Sequence, residues 1–179
     1  MNKVLTASPA FTKCLPWHTK QTEVYAADSK KSQTQVFQRN DIMSPRWIKI
    51  RSIDHDFDLK GFTLTLSISN NQLKCCSAGD GVIKVYSLSG ELLQTFGTPG
   101  RGDAGHLRVD CPYIRDDDDD GSVLIAGYGN DRLQVMSEQG EFSVLQLQLP
   151  VSYPRSAVLF KNNLFVTSSK TGKIYKCSY

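Results

Sequence analysis

No stretch of this sequence stays apolar for the roughly 18 residues that a membrane-spanning helix requires. None keeps a helical period over a useful length. The first 13 residues, MNKVLTASPAFTK, lack the apolar centre of a secretory signal. The five cysteines (Cys14, Cys75, Cys76, Cys111 and Cys177) form an odd set without a C-x-x-C pair, and His18, His55 and His106 do not complete zinc-ligand spacing. Adjacent Cys75 and Cys76 would make a strained disulfide. The cysteines are therefore expected to be reduced, small, buried hydrophobes, as in the cytoplasm.

Other absences narrow the chemistry. There is no G-x-S-x-G nucleophile elbow. Residues 97–105 (GTPGRGDAG) have the glycines of a phosphate loop but neither its G-K-[ST] ending nor a following helix. The tripeptide Arg101-Gly102-Asp103 matches an integrin ligand, which a cytoplasmic chain has no use for. His55 lies in Asp54-His55-Asp56, a polar connection with no nucleophile in the pattern, and is expected to be a loop residue rather than an acid–base group. The five aspartates 116–120 cannot all turn inward around Ca²⁺ on a short hairpin, so they too read as solvated loop. No catalytic residue, metal or cofactor is expected.

What is present is ordinary globular material: 40% hydrophobic, 22% charged and 9% aromatic residues in a 179-residue chain. The net charge is only +3, but the five aspartates concentrate the acid. The other 174 residues hold 13 acids against 21 bases, a net of +8. The body is thus mildly basic with one acidic spot.

The informative feature is a repeat. Residues 24–37 (VYAADSKKSQTQVF), 73–86 (LKCCSAGDGVIKVY), 123–136 (VLIAGYGNDRLQVM) and 164–177 (LFVTSSKTGKIYKC) align without gaps, with starts separated by 49, 50 and 41 residues. Each opens with four apolar or small residues, continues through polar turn residues, and closes on an alternating run. That is the pattern of a β-hairpin. Ser87-Leu-Ser-Gly90-Glu91 and Ser137-Glu-Gln-Gly140-Glu141 then repeat as S-x-x-G-E turns before further strands at 92–96 and 142–149. In the first copy the following strand is 47–53. A strand also precedes each hairpin: 62–68, 111–114, 157–160 and, interrupted by Pro16, 15–19. The unit is therefore four consecutive antiparallel strands, a to d. Such units at 40–50-residue spacing define propeller blades. A β-sandwich would not repeat one hairpin four times in register. Trp17 and Trp47, on strands a and d, are expected to pack rather than to bind ligand.

The third copy, Ile125-Ala-Gly-Tyr-Gly-Asn-Asp-Arg-Leu-Gln-Val135, resembles the NHL repeat, whose hairpin reads VAD-x-x-N-x-R-I-Q-V-F. Residues 89–97 (SGELLQTFG) resemble that repeat's second half, and Tyr25-Ala-Ala-Asp28 its VAD end. Asp131 stands where the family has histidine, and Cys75-Cys76-Ser77 where VAD is expected. The resemblance covers the chain from about residue 14. It implies an all-β, NHL-type β-propeller and a recognition role like that of the C-terminal domain of tripartite-motif ubiquitin ligases. The partner would be a protein or ubiquitination substrate, or alternatively single-stranded RNA. The RING of those ligases has no counterpart here. Some NHL propellers are lyases built on histidine-held metal. The three histidines of this chain do not occupy equivalent repeat positions, which disfavours a lyase or lactonase reading, and no membrane or small-molecule partner is implied.

In a propeller the b–c and d–a loops share one rim and the a–b and c–d loops the other. The first rim would carry Lys30, Lys31, Arg101, Arg108, Arg132, Arg155, Lys170 and Lys173, with Tyr128 as a platform for a stacked base. The family's RNA-binding members use this rim. The aspartates 116–120 would lie on the opposite one.

The expected organisation is an N-terminal segment at 1–13, in which residues 3–6 are a candidate closing strand, then blades at 14–53, 54–98 and 99–150. An incomplete blade of strands a to c follows at 151–179. Six blades would take roughly 250 residues or more. Three and a half blades are therefore expected to form an open part of a larger ring, with exposed edges.

Overall fold

A computed structural model describes residues 18–20, 23–28, 30–39, 46–57, 64–77, 80–100, 106–107, 113–116, 121–146, 151–160 and 163–178. The expected strands at 3–6 and 15–17, the aspartates 117–120, Trp17, Cys14 and Cys111 lie outside these residues.

Four antiparallel sheets follow one another in sequence. The first is β1 (His18–Lys20), β2 (Glu23–Asp28), β3 (Gln33–Arg39) and β4 (Trp47–Asp54). The second is β5 (Leu64–Ser69), β6 (Gln72–Ser77), β7 (Ile83–Ser87) and β8 (Leu92–Phe96). After a short parallel pair, β9 (Thr98–Pro99) with β10 (His106–Leu107), comes the third: β11 (Tyr113–Asp116), β12 (Val123–Gly127), β13 (Arg132–Met136) and β14 (Phe142–Leu145). The last has three strands, β15 (Pro154–Phe160), β16 (Asn163–Ser168) and β17 (Lys173–Ser178). Every sheet keeps sequence order, so the a-to-d meander read from the repeat is the observed topology. Of the d strand expected at 142–149, β14 covers Phe142–Leu145, and residues 147–149 lie outside the described residues. The parallel pair, formed within the glycine-rich 97–107 connection, has no sequence signature.

Inner strands of successive sheets neighbour one another: β2 meets β5, β5 meets β11, and β11 and β12 meet β15. Among the described residues the first and last sheets do not pack together, and the four blades form an open arc of a β-propeller.

Blades 2 and 3 each lie between two others, so their b strands must be apolar on both faces. Alternation of side chains across the pleat sends neighbouring residues to different seams. Cys75 enters the core between blades 1 and 2, with Tyr25, Val36, Ile53, Leu66 and Tyr86. Cys76 enters the next, with Ile83, Leu107, Val123, Ile125 and Met136. Ala126 turns from Ile125's seam into the third, with Leu133, Ala157, Leu164 and Val166. Each large aliphatic residue buried this way contributes about 1.5–3 kcal/mol. Cys75, Cys76 and Cys177 are free and buried, and burial raises the pKa of the Cys75 and Cys76 thiols.

The S-x-x-G-E turns are identical in build. Ser87 and Glu91 pair through backbone N to O at 2.8 Å, and the Glu91 amide donates to Ser87 Oγ at 3.0 Å. Ser137 and Glu141 repeat both bonds, at 2.8 and 3.1 Å. On this same rim Arg51 ties blade 1 to blade 2. Its guanidinium holds Glu23 at 3.2 Å and donates to the Leu88 carbonyl at 3.3 Å. Lys74, almost wholly buried, donates to the Gly121 carbonyl at 2.8 Å and so links blade 2 to the a–b turn of blade 3.

On the opposite rim, Gly81 (φ +61) lies against the parallel pair. A Cβ there would stand 2.6 Å from Pro99 Cα and collide with the Leu107 carbonyl. Gly172 has a similar φ, +65, with nothing within 4 Å of a Cβ. Gly81→Ala is therefore expected to cost more than 2 kcal/mol and Gly172→Ala about 1 kcal/mol. Urea unfolding of the two variants measures both, and equal losses would contradict the packed contact at Gly81.

Candidate functional site

The b–c and d–a loops of blades 3 and 4 converge. At the end of β12 the chain makes one 3₁₀ turn, Tyr128–Asn130, then passes through Asp131 in the left-handed region (φ 53, ψ 35) to begin β13 at Arg132. Across the seam, Ser152-Tyr153-Pro154 enters β15. The residue before a proline avoids the right-handed helical region, and Tyr153 adopts φ +51, costly for a bulky side chain.

That conformation is held from both sides. The Tyr153 amide donates to Asp131 Oδ1 at 2.6 Å. Its carbonyl accepts from the Ser169 amide at 3.1 Å and from Ser169 Oγ at 3.2 Å. Next to it, the Ser152 carbonyl accepts from Ser168 Oγ at 2.5 Å. The two b–c loops thus clamp one strained aromatic residue. The Tyr153 ring, 37% exposed, lies 5.0 Å from Tyr128 at a 55° tilt, with Lys170 Nζ 5.8 Å from its centroid. Two aromatic faces and a cation, fixed by loops from successive blades, suit a planar or apolar group carrying negative charge.

The structure places the expected residues unevenly. Tyr128 and Lys170 meet through Tyr153. Arg132 is half-buried at the start of β13, while Arg155 and Lys173 are exposed on β15 and β17. Lys30 and Lys31 are exposed in the b–c turn of blade 1, where their amides donate to Asp28 Oδ1 at 3.2 and 3.3 Å. That turn is two blades from the tyrosines. Arg101 and Arg108 lie outside the described residues. Sequence reasoning missed Tyr153. Its signal was an aromatic residue before the proline that opens a strand.

His55 lies, as expected, in the connection after β4, yet it is only 6% exposed, in the seam between blades 1 and 2. Its Nε2 is 2.7 Å from Thr34 Oγ1 and 3.7 Å from Cys75 Sγ, and its ring is 4.7 Å from Tyr86. The flanking backbone is tied down as well. The His55 amide donates to the Ser32 carbonyl at 2.8 Å, and Ser32 Oγ returns a bond to the His55 carbonyl at 2.7 Å. The D-H-D pattern looked polar because the pleat directs Asp54 and Asp56 outward, leaving the central residue to face the core. Trp47, expected to pack in the core or at an edge, lies on the edge strand of its sheet, 37% exposed.

No protein-family model and no curated protein sequence matches the chain. Solved structures do. A streptogramin B lyase aligns with TM-score 0.59 at 16% identity, over 90% of this chain and 52% of the lyase. BamB from Moraxella catarrhalis aligns with TM-score 0.56 at 14% identity, over 91% of this chain and 42% of its own. An auxiliary nutrient binding protein from Bacteroides thetaiotaomicron aligns with TM-score 0.62 at 12% identity, over 88% and 45%. The chain spans about half the length of these proteins, or less. At such identities the likeness defines the class alone: this is a β-propeller, a fold shared here by a lyase and by a nutrient binding protein.

Burial lowers the His55 pKa from 6.5 to about 4, with Lys84 lowering it further and Asp54 opposing. The unfolded chain then binds the extra proton first, so His55's contribution is complete above pH 6.5 and is lost as pH falls toward 4. The full loss is about 3 kcal/mol. Unfolding free energies from urea titration of wild type and His55→Gln, compared between pH 7 and 4, should converge by that amount. Parallel curves would contradict it.

Proposed function

We propose that this propeller is a non-catalytic recognition module, the partner-binding part of a tripartite-motif-like ubiquitin ligase, acting in a reducing compartment such as the cytoplasm. The ligase assignment rests on the resemblance of 125–135 and 89–97 to the NHL repeat. The recognition role rests on Tyr153. A strained, clamped and partly exposed aromatic residue adds little to the inter-blade core, yet Asp131, Ser168 and Ser169 all serve to hold the loop that carries it. His55, which D-H-D would offer as an acid–base group, is spent in a seam.

The partner is a protein that presents an apolar or aromatic side chain next to an acidic one, placed on Tyr128 and Tyr153 with Lys170 beside them. Single-stranded RNA is the second reading, favoured by the same tyrosine–lysine arrangement, which would stack a base and hold its phosphate.

A photo-crosslinking amino acid at position 128, with the same label at exposed Leu93 as reference, tests the rim. Expected is a defined protein set captured from position 128 and lost on Tyr153→Ala. Capture no greater than from position 93 would remove the protein reading. Filter binding of single-stranded RNA across a salt series separates the second. Retention that weakens steeply with salt and is lost with Lys170→Glu would favour RNA.

A further inference from the structure

The four hairpins allow one repeat position to be compared in four environments. In strand c, the residue that faces the following blade is Thr34, Ile83, Leu133 and Ile174 in turn. The registers Thr34–Ala27, Ile83–Cys76, Leu133–Ala126 and Ile174–Thr167 establish the equivalence. The first three are 0%, 0% and 1% exposed, because blades 2, 3 and 4 cover them; Ile174 is 70% exposed. Phe160, on the same face through the Val158–Phe165 and Phe160–Asn163 pairs, is 59% exposed. The last described blade thus presents the kind of surface that every earlier blade buries.

The opposite end shows the complement. The two b-strand positions that face the preceding blade are Leu73 and Cys75, Val123 and Ile125, and Leu164 and Val166 in blades 2 to 4, all buried to 1% or less. In blade 1 they are Val24 and Ala26, which are only half-buried, as is Phe37 beside them. Among the described residues no sheet packs on that face.

We propose that these faces pair between two copies of the chain, the β16–β17 face of one on the β2–β3 face of the other, and reciprocally, closing a two-copy ring. Three observations select a second copy. The faces are the two halves of one seam, separated onto opposite ends of the same chain. They match in kind, with Ile174, Phe160 and Phe165 against Val24, Ala26 and Phe37. The third is size: the chain covers 52% of the aligned streptogramin B lyase, so two arcs supply the length of one such propeller. A head-to-tail contact that closes after two steps satisfies both ends at once. The proposal is independent of the tyrosine rim, which lies within a single copy.

Light scattering behind size exclusion, on the full chain at micromolar concentration, tests it. Expected is a mass of about 40 kDa, twice the 20.0 kDa chain, falling to one chain with Ile174→Asp and with Phe160→Asp. Both residues are exposed in the single chain, so an unchanged circular dichroism spectrum and melting are expected at low concentration. A cysteine at position 174 should react with a thiol reagent at least tenfold more slowly as concentration rises into the dimer range. A monomeric wild type, any other stoichiometry, or a dimer that Ile174→Asp leaves intact would overturn the proposal. A monomer with a protected cysteine at 174 would overturn it in favour of cover from the same chain.

Discussion

Two-sided burial of each blade is the constraint on which the rest depends. A propeller blade is a sheet with a neighbour on either side, so strand b must be apolar in consecutive residues while the chain around it stays polar. Cys75 and Cys76 show this most compactly: adjacent in sequence, both fully buried, and in different cores. The small side chains at the fourth hairpin position, Ala27, Cys76 and Ala126, are those that let the next blade approach. The buried polar groups of the seams are then obliged to find partners, as Thr34 does at His55 and Lys74 at the Gly121 carbonyl.

The same constraint creates the site. Because the seams are closely packed, loops anchored on either side of them can hold a costly backbone. Tyr153 is kept at positive φ by Asp131 from one blade and Ser169 from the other, so its ring position is set by two sheets rather than by a flexible loop. Asp131 supplies the carboxylate acceptor that fixes Tyr153.

The meander, the hairpin registers and the S-x-x-G-E turns were legible because they depend on neighbours within about twenty residues. Gly90 and Gly140 in turns, and alternation in Ile83–Tyr86 or Leu133–Met136, carry their meaning locally. The assignment of the b–c and d–a loops to one end follows for a similar reason, from strand order alone. The site itself was only half legible. Tyr128 and Lys170 were identifiable as loop residues, but nothing in their spacing indicates that Tyr153 stands between them. The burial of His55 was not legible, because two flanking aspartates describe the solvent side of the chain and not the side turned inward. The pairing of β9 with β10 was invisible, since two residues on each strand make no pattern.

The sequence alone determined that this chain is a series of four-stranded units, and that each b strand has two apolar faces. Alternation with period two is a property of the extended backbone and is written residue by residue. Only the tertiary structure decided what stands opposite each face. That is a relation between blades tens of residues apart, and it separates positions the repeat treats as equals. Ile83 and Leu133 are buried, whereas Ile174 is exposed. Of the polar residues on the connections, His55 is enclosed, whereas Lys170 remains at the surface beside Tyr153.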